Sequence, residues 1–187
     1  MTNSLSIAIA DLSSADSPVR RAAAAAIYRS GRAAADSAVA GWWKDAQLAE
    51  LLLPGPTVTV GVAVQRETFA LVRAANGSPR LADVPPDQDA EEFELHFSDD
   101  VLLDVLTSRE PGGTGAIAKY LAKFGEGVQQ VEFRCSDVRR ATQMLVERFG
   151  IAAIYPRARP GADGALVNFF LVPSAGAGKV LIELYEH

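Results

Sequence analysis

One change of hydrophobic period divides this sequence. Up to about residue 56, apolar positions recur three and four apart: Val19, Ala22, Ala23, Ala26 and Ile27 share one helical face, and Trp43, Ala46, Leu48 and Leu52 lie along another. Ser17-Pro18 offers a side-chain cap followed by a proline that needs no amide partner, so a helix is predicted to start there and to end at Gly31. A second helix is predicted from about Asp36 to Leu53, stopped by Pro54-Gly55-Pro56. Beyond Pro56 the period falls to two. Val58, Val60, Val62 and Val64 line one strand face, and Thr57, Thr59, Gly61 and Ala63 line the other.

From there a strand–helix–strand–strand–strand order is predicted twice. In the first copy, a helix from Glu67 to Asn76 ends at Gly77, and strands follow at Arg80 to Val84, Glu91 to Phe97 and Val101 to Thr107. Pro85-Pro86-Asp87 and Ser98-Asp99-Asp100 are the turns between them. In the second copy, a strand from Val128 to Cys135 leads to a helix capped by Ser136 or Asp137 and ended by Gly150, with Val138, Ala141, Leu145 and Phe149 on one face. Strands at Ile151 to Arg157, Ala165 to Val172 and Lys179 to Tyr185 complete it, with Asp163-Gly164 as a hairpin turn. The expected fold class is α+β: two βαβββ modules over residues 57–110 and 127–187 form a curled mixed sheet, preceded by a small helical segment over residues 1–56. Asp16 to Ala23 resembles the start of a HEAT-type repeat, but one repeat is too few to stack, so an isolated helical pair is expected.

Composition narrows the function classes. Hydrophobic residues at 49% and charged residues at 22% describe a folded globular chain. With 18 basic against 23 acidic side chains and no dense Lys/Arg run, the footprint of a nucleic-acid binder is missing; Arg20-Arg21 and Arg139-Arg140 read as solvated helix faces. The one cysteine, Cys135, rules out an internal disulfide and a thiolate zinc site, and its alternation with Val131 and Phe133 makes it a core residue. No basic segment followed by a long apolar run opens the sequence, and no stretch approaches the ~20 apolar residues of a membrane span, so a cytoplasmic setting without membrane is expected.

Candidate chemistry lies where polar residues interrupt strands. Glu183 sits inside the apolar run Val180-Leu181-Ile182-Glu183-Leu184, and a carboxylate buried there needs a partner. Asp104 interrupts another apolar strand, Thr59 lies on a small-residue face, and Gln130 shares a polar face with Glu132 and Arg134. Glu92, Glu94 and His96 alternate on one strand and read first as a solvated face. His187 is the last residue in the sequence, and Trp42 and Trp43 read as helix-packing residues. The glycine clusters at 111–115 and 175–179 lack the strand-to-helix spacing of a phosphate loop and read as loops.

The stretches Ala116-Ile117-Ala118-Lys119-Tyr120-Leu121, Gly125-Glu126-Gly127-Val128-Gln129-Gln130 and Val180 to Leu184, together with Val58 to Val64, resemble the vicinal-oxygen-chelate superfamily of glyoxalase I, bleomycin-resistance proteins, extradiol dioxygenases and methylmalonyl-CoA epimerase, and within it the epimerase branch. That resemblance implies two modules curled around a divalent metal, with ligand positions falling here on Thr59, Asp104, Gln130 and Glu183. The family's epimerases usually carry histidine at the first and third of these. The set left here is all oxygen, better suited to harder cations than to those imidazole favours, so the expected cofactor is a divalent metal, Mg²⁺, Mn²⁺, Ca²⁺ or Co²⁺, weakly held or absent.

The reaction implied is proton transfer next to a thioester carbonyl, as in an isomerase (epimerase) or lyase, with Glu183 and Glu94 as the catalytic carboxylates and Lys119, Lys123 and Lys179 as phosphate partners for an acyl-CoA. The other reading is a small-molecule binding or sequestering protein that has lost the metal site. A homodimer is a further expectation, since such modules often pair.

Overall fold

The computed structural model describes residues 4–52, 58–174 and 178–187. Helices α1 (Ser4–Asp11) and α2 (Ser17–Val39) come first, followed by a 3₁₀ turn at Trp42–Lys44 and the short α3 (Ala46–Leu51). The first module then runs β1 (Val58–Ala63), α4 (Arg66–Ala75), β2 (Ala90–Ser98) and β3 (Val101–Ser108). Helix α5 (Ala116–Phe124) connects it to the second, which runs β4 (Gly127–Arg134), α6 (Val138–Phe149), β5 (Arg159–Pro160), β6 (Leu166–Ser174) and β7 (Gly178–Glu186).

All seven strands form one mixed, curled sheet in the order β2-β3-β1-β4-β7-β6-β5. The two modules meet where β1 and β4 pair antiparallel, and each central strand has a parallel partner on its outer side, β3 beside β1 and β7 beside β4. The remaining pairs, β2 with β3, β6 with β7 and β5 with β6, are antiparallel.

Alternation along the strands sorts the two faces. Val58, Val60 and Val62 of β1, Phe93 and Leu95 of β2, Leu103 and Val105 of β3, Val131 and Phe133 of β4, and Ile182 and Leu184 of β7 are all buried in one core with α2, α4 and α6. Helix α2 contributes Ala23, Ala24, Ile27, Tyr28, Ala35 and Val39 to that same core, so the helical segment and the sheet share one apolar interior. Cys135 is buried with them, and burial pushes its thiol up to about 12, as befits a packing residue. The opposite face carries the even-numbered polar residues of β2, β3 and β4, and there the sheet curls into a cup. No helix among the described residues is long and apolar enough to cross a membrane.

Five sequence expectations are corrected. Gly31 does not end a helix; α2 continues through it to Val39, because the missing side chain lets the helix backbone rest on β1. An ideal Cβ at Gly31 would lie 2.6 Å from Val60 Cγ1 and 2.9 Å from Cγ2. The predicted helix from Asp36 to Leu53 is therefore the end of α2, a 3₁₀ turn and α3, where the Asp45 side chain accepts from the amides of Gln47 and Leu48. Helix α2 is preceded by Asp16 as its N-cap, without a side-chain cap bond, while Pro18 occupies the first turn as expected. Arg80 to Val84 is not a strand. Prolines flank it at Pro79, Pro85 and Pro86, and its ladder-like bond is Ala82 N–H to Glu92 O at 3.0 Å.

Nor is Ile151 to Arg157 a strand: Pro156 interrupts it, a single bridge joins Ala153 to Phe170, and the pairing that exists lies beyond it at Arg159–Pro160. The first module is consequently βαββ. In the second module the Asp137 cap holds, with the side chain accepting from Arg140 N at 2.8 Å, and Gly150 closes α6 in the left-handed region. Thr57, Pro54-Gly55-Pro56 and the loop residues 175–177 lie outside the described residues.

The Arg80 to Val84 segment and the turn after it join the ends of the sheet by bonding to Arg159, Pro160 and Asp163. Asp163 N–H donates to Asp83 O at 3.0 Å, the Asp163 carboxylate accepts from Asp83 N–H at 2.8 Å and pairs with Arg80 at 2.6 Å, and Gln88 Nε2 donates to Pro160 O at 2.8 Å. Arg159 pairs with Asp87 beside them. The turn at Ala162–Gly164 thus forms part of the rim.

The packing of Gly31 generates a prediction opposite to helix propensity. Alanine normally stabilises a helix interior relative to glycine. Here Gly31→Ala is expected to destabilise by about 1–3 kcal/mol through overpacking against Val60, and Val60→Ala in the same chain to recover part of the loss, read as melting temperature and denaturant midpoint.

Candidate functional site

The cup is a cavity of about 390 Å³, within the range of small-molecule sites. Two aligned rows of residues cross it. In one, Glu94 of β2 pairs with Asp104 of β3, Asp104 with Gly61 of β1, and Gly61 with Gln130 of β4. In the next, Thr59 pairs with Glu132, Glu132 with Glu183, and Glu183 with Phe169. Strand period alone therefore brings carboxylates from both modules to one concave surface.

Two backbone features shape it. An ideal Cβ at Gly61 would lie 2.5 Å from Gln130 Cγ, so glycine there makes room for the glutamine stem. A register shift in β4, where Gly61 pairs with Gln130 but Val62 with Val128, leaves Gln129 as the extra residue of a bulge. Both Gln129 and Gln130 consequently line the cup.

Gln130 organises the acids. Its Nε2 donates to Glu132 Oε1 at 3.0 Å and to Glu183 Oε2 at 2.7 Å. Asp104 is 5% exposed, and its Oδ1 has no hydrogen-bond partner among the described residues. Glu92, one turn of the pleat deeper than Glu94, faces the same space.

Burial drives all four carboxyl groups upward. Glu92 is pushed up to about 8 by burial and then by Glu132. Glu132 is pushed up to about 7 by burial, against the lowering effect of the hydrogen bond from Gln130. Asp104 and Glu183 stand well above the carboxylate range, again from burial first, with Glu92 and Glu132 adding like charge. Burial also raises the Tyr185 hydroxyl to about 12. Groups that interact in this way titrate as a unit rather than one by one.

The walls are apolar. Tyr155 and Phe169 meet edge to face at 6.0 Å, and Arg159 lies over the Tyr155 ring at 4.8 Å. Leu106 and Ile117 face them from the first module. Helix α5, unassigned in the sequence reading, buries Ile117, Ala118 and Leu121 and brings Thr114, Gly115 and Ala116 to the cup.

Of the residues singled out from sequence, Asp104, Gln130, Glu183 and Glu94 line the cup, while Thr59 is buried on the same face without reaching the open space. Glu94 stands at the rim with its side chain 62% exposed and its Oε2 2.9 Å from His96 Nε2. Lys119, Lys123 and Lys179 do not line the cup, whereas His187 does. Sequence reasoning left Glu92 and Glu132 out of the site. Glu132 carried a signal, since it shares the polar face of its strand with Gln130; Glu92 carried none that separates a cup lining from a solvated face.

The four positions that the resemblance assigns to a metal do not fit a divalent ion. Where ligand lone pairs would converge, an amide N–H donor already holds two carboxylates, and Thr59 stays outside the cavity. Among the described residues no three His, Cys, Asp or Glu side chains are placed to hold one.

No protein-family model matches the sequence, and no curated protein matches it. Solved structures do. The chain is similar to methylmalonyl-CoA epimerase from Mycobacterium tuberculosis, at 29% identity and a TM-score of 0.58 over 73% of this chain and 89% of that one. It is similar to a variant of the Streptomyces coelicolor methylmalonyl-CoA epimerase in complex with 2-nitronate-propionyl-CoA, at 26% identity and a TM-score of 0.57 over 73% and 94%. A methylmalonyl-CoA epimerase in complex with methylmalonyl-CoA and NH4+ matches at 26% identity and a TM-score of 0.54 over 68% and 91%. Curled sheet, paired modules and these likenesses agree: this chain has the fold of the vicinal-oxygen-chelate superfamily, and its structural neighbours are methylmalonyl-CoA epimerases.

Proposed function

We propose that the chain binds a small carbonyl or acyl-thioester molecule in the cup and moves a proton at the carbon next to its carbonyl, using carboxyl groups alone. The observation that carries this reading is the set of buried, proton-sharing acids around Gln130, contributed by both modules and raised toward neutrality. In this reading Glu183 acts in its ionised form, its own proton held elsewhere in the coupled cluster, and takes the proton from carbon, breaking the C–H bond as the enolate forms. The protonated carboxyl of Asp104 donates a hydrogen bond to the enolate oxygen. Return of a proton to carbon restores the ketone or thioester, and return from the opposite wall, where Glu92 stands, inverts the centre. Glu92 takes the part first given to Glu94, because Glu94 is exposed and engaged with His96. The likeness to epimerases that bind acyl-CoA compounds supports the choice of ligand class.

A second reading is a binding protein without turnover. What favours it is Gln130 itself, whose amide ties up both Glu132 and Glu183.

Mass spectrometry of acyl-CoAs incubated with chelator-treated protein in D₂O separates the two. Deuterium is expected at the carbon next to the carbonyl, and Glu183→Gln is expected to slow its entry by about 10²-fold or more. Ligand-induced thermal stabilisation without exchange for any thioester would leave the second reading.

The carboxyl cluster fixes how stability depends on pH. The unfolded chain releases these protons around the ordinary value of 4.5, while folded Glu132 and Glu92 hold theirs to about 7 and 8. Across that window the folded state binds more protons, so stability falls as pH rises and is greatest toward the acid end. Thermal melts from about pH 5 to about pH 8.5 are expected to show a declining midpoint, and Glu92→Gln with Glu132→Gln to flatten the slope.

Divalent cations complete the tests. Mg²⁺, Mn²⁺, Ca²⁺ and Co²⁺ are each expected to leave the melting temperature unchanged at millimolar concentration; a saturable rise would show a metal site that the side-chain arrangement does not provide.

A further inference from the structure

The charge inside the cup is one-sided. Among the described residues, Arg159 and His187 are the basic side chains that line it. Arg159 is already paired with Asp87 and lies over Tyr155, and His187 stands exposed at the rim against Tyr185. Two further acids of the lining are satisfied at the rim, Asp163 by Arg80 and Glu94 by His96. What remains in the interior is Glu92, Asp104, Glu132 and Glu183, with no ion pair to any of them among the described residues. Arg109, which acts weakly on Glu92, spends its guanidinium on Val84 O at 3.1 Å.

Asp104 points independently to what the cup lacks. It is 5% exposed, it lines the cavity, and its Oδ1 receives no hydrogen bond among the described residues. Native structures seldom leave a buried acceptor unsatisfied, because the lost solvation is not recovered. A donor brought by the ligand satisfies it. The Gln130 amide is not free to serve it, because its Nε2 is already engaged by Glu132 and Glu183. Tyr155, Phe169 and Tyr185 supply aromatic rings on the opposite wall, which attract a cation as well as an apolar body.

We propose that the molecule accepted by this cup carries an ammonium or comparable organic cation on its acyl side, docked against Asp104 and the Glu132–Glu183 pair, and that molecules ending there in a carboxylate are rejected. The inference rests on the reading of the cup as a site for small carbonyl or acyl-thioester ligands and specifies their charge. It separates this chain from the neighbour that holds methylmalonyl-CoA, whose acyl group ends in a carboxylate. An ammonium entering among Glu92, Asp104, Glu132 and Glu183 favours their ionised forms and pairs with them, whereas a carboxylate finds no counter-cation there and opposes their ionisation.

Calorimetric titration of the full chain with three thioesters that differ only in acyl charge tests the proposal: β-alanyl-CoA, propionyl-CoA and methylmalonyl-CoA. β-Alanyl-CoA is expected to bind at least about tenfold tighter than propionyl-CoA, and methylmalonyl-CoA at least about tenfold weaker. Asp104→Asn, a replacement of the same shape, and separately Glu132→Gln are expected to shrink the ratio between the cationic and neutral ligands; a folded variant with an unchanged ratio counts against the assigned groups. Equal affinity for all three, or a preference for methylmalonyl-CoA, overturns the proposal while leaving the thioester reading intact. If no thioester binds, β-alaninamide against propionamide decides: tighter binding of the amine upholds the charge preference and removes the thioester reading, and no binding of either removes both.

Discussion

The antiparallel pairing of β1 with β4 is the constraint on which the rest depends. It joins the two modules, and its register places Gly61 opposite Gln130 while β3 places Asp104 on the other side of the same glycine. Because side chains alternate with a period of two, sliding this pair by one residue would carry Glu132 into the apolar core and Val131 into the cup. Val60 against Val131 on the buried face makes such a slip costly, since both are fully enclosed. The oil on one side of the sheet thereby fixes the acids on the other. The bulge at Gln129 is the one irregularity, and it falls where Gln130 must turn toward its two carboxylate partners.

Most of the layout was legible in the sequence because it follows from period and punctuation. Val58 to Val64, Glu91 to Phe97, Val101 to Thr107 and Lys179 to Tyr185 alternate or run apolar between turn residues, and all four lie within strands or overlap them closely. Gly150 and Asp137 announced the limits of α6. Failures came where tertiary contacts outweigh local signals. Gly31 has the chemistry of a helix end, yet the close approach of Val60 gives it a different task. Arg80 to Val84 and Ile151 to Arg157 read as strands by composition, but neighbouring prolines remove ladder donors, and side chains such as Arg80 and Asp163 take over the connection. Helix α5 gives a weak signal because it is only 9 residues long, so its buried face comes down to Ile117, Ala118 and Leu121.

The site was legible to a lesser degree. Asp104 and Glu183 interrupt apolar strands, a pattern that needs a reason, and both face the cavity. Glu92 and Glu94 illustrate the limit: two acids spaced by two on one strand look identical in sequence, yet one ends deep in the cup and the other at the rim beside His96. Curvature decides between them, and curvature arises from how seven strands close upon one another. The resemblance also led toward a metal, whereas the side chains there are joined by hydrogen bonds from the Gln130 amide to Glu132 and Glu183.

The seat of α2 on β1 reaches further than packing. A helix that meets a strand through a bare α-carbon leaves a single side chain, that of Val60, between the two layers at this point. Pressure, ligand or partner acting on the outer surface of α2 is thus transmitted to Val60 without an intervening soft contact, and from Val60 to the neighbouring Thr59 and Gly61, which sit in the two rows of acids. In mechanical terms the N-terminal helix is a stiff backing plate for the acidic surface, and its outward side is the place from which that surface is most directly deformed.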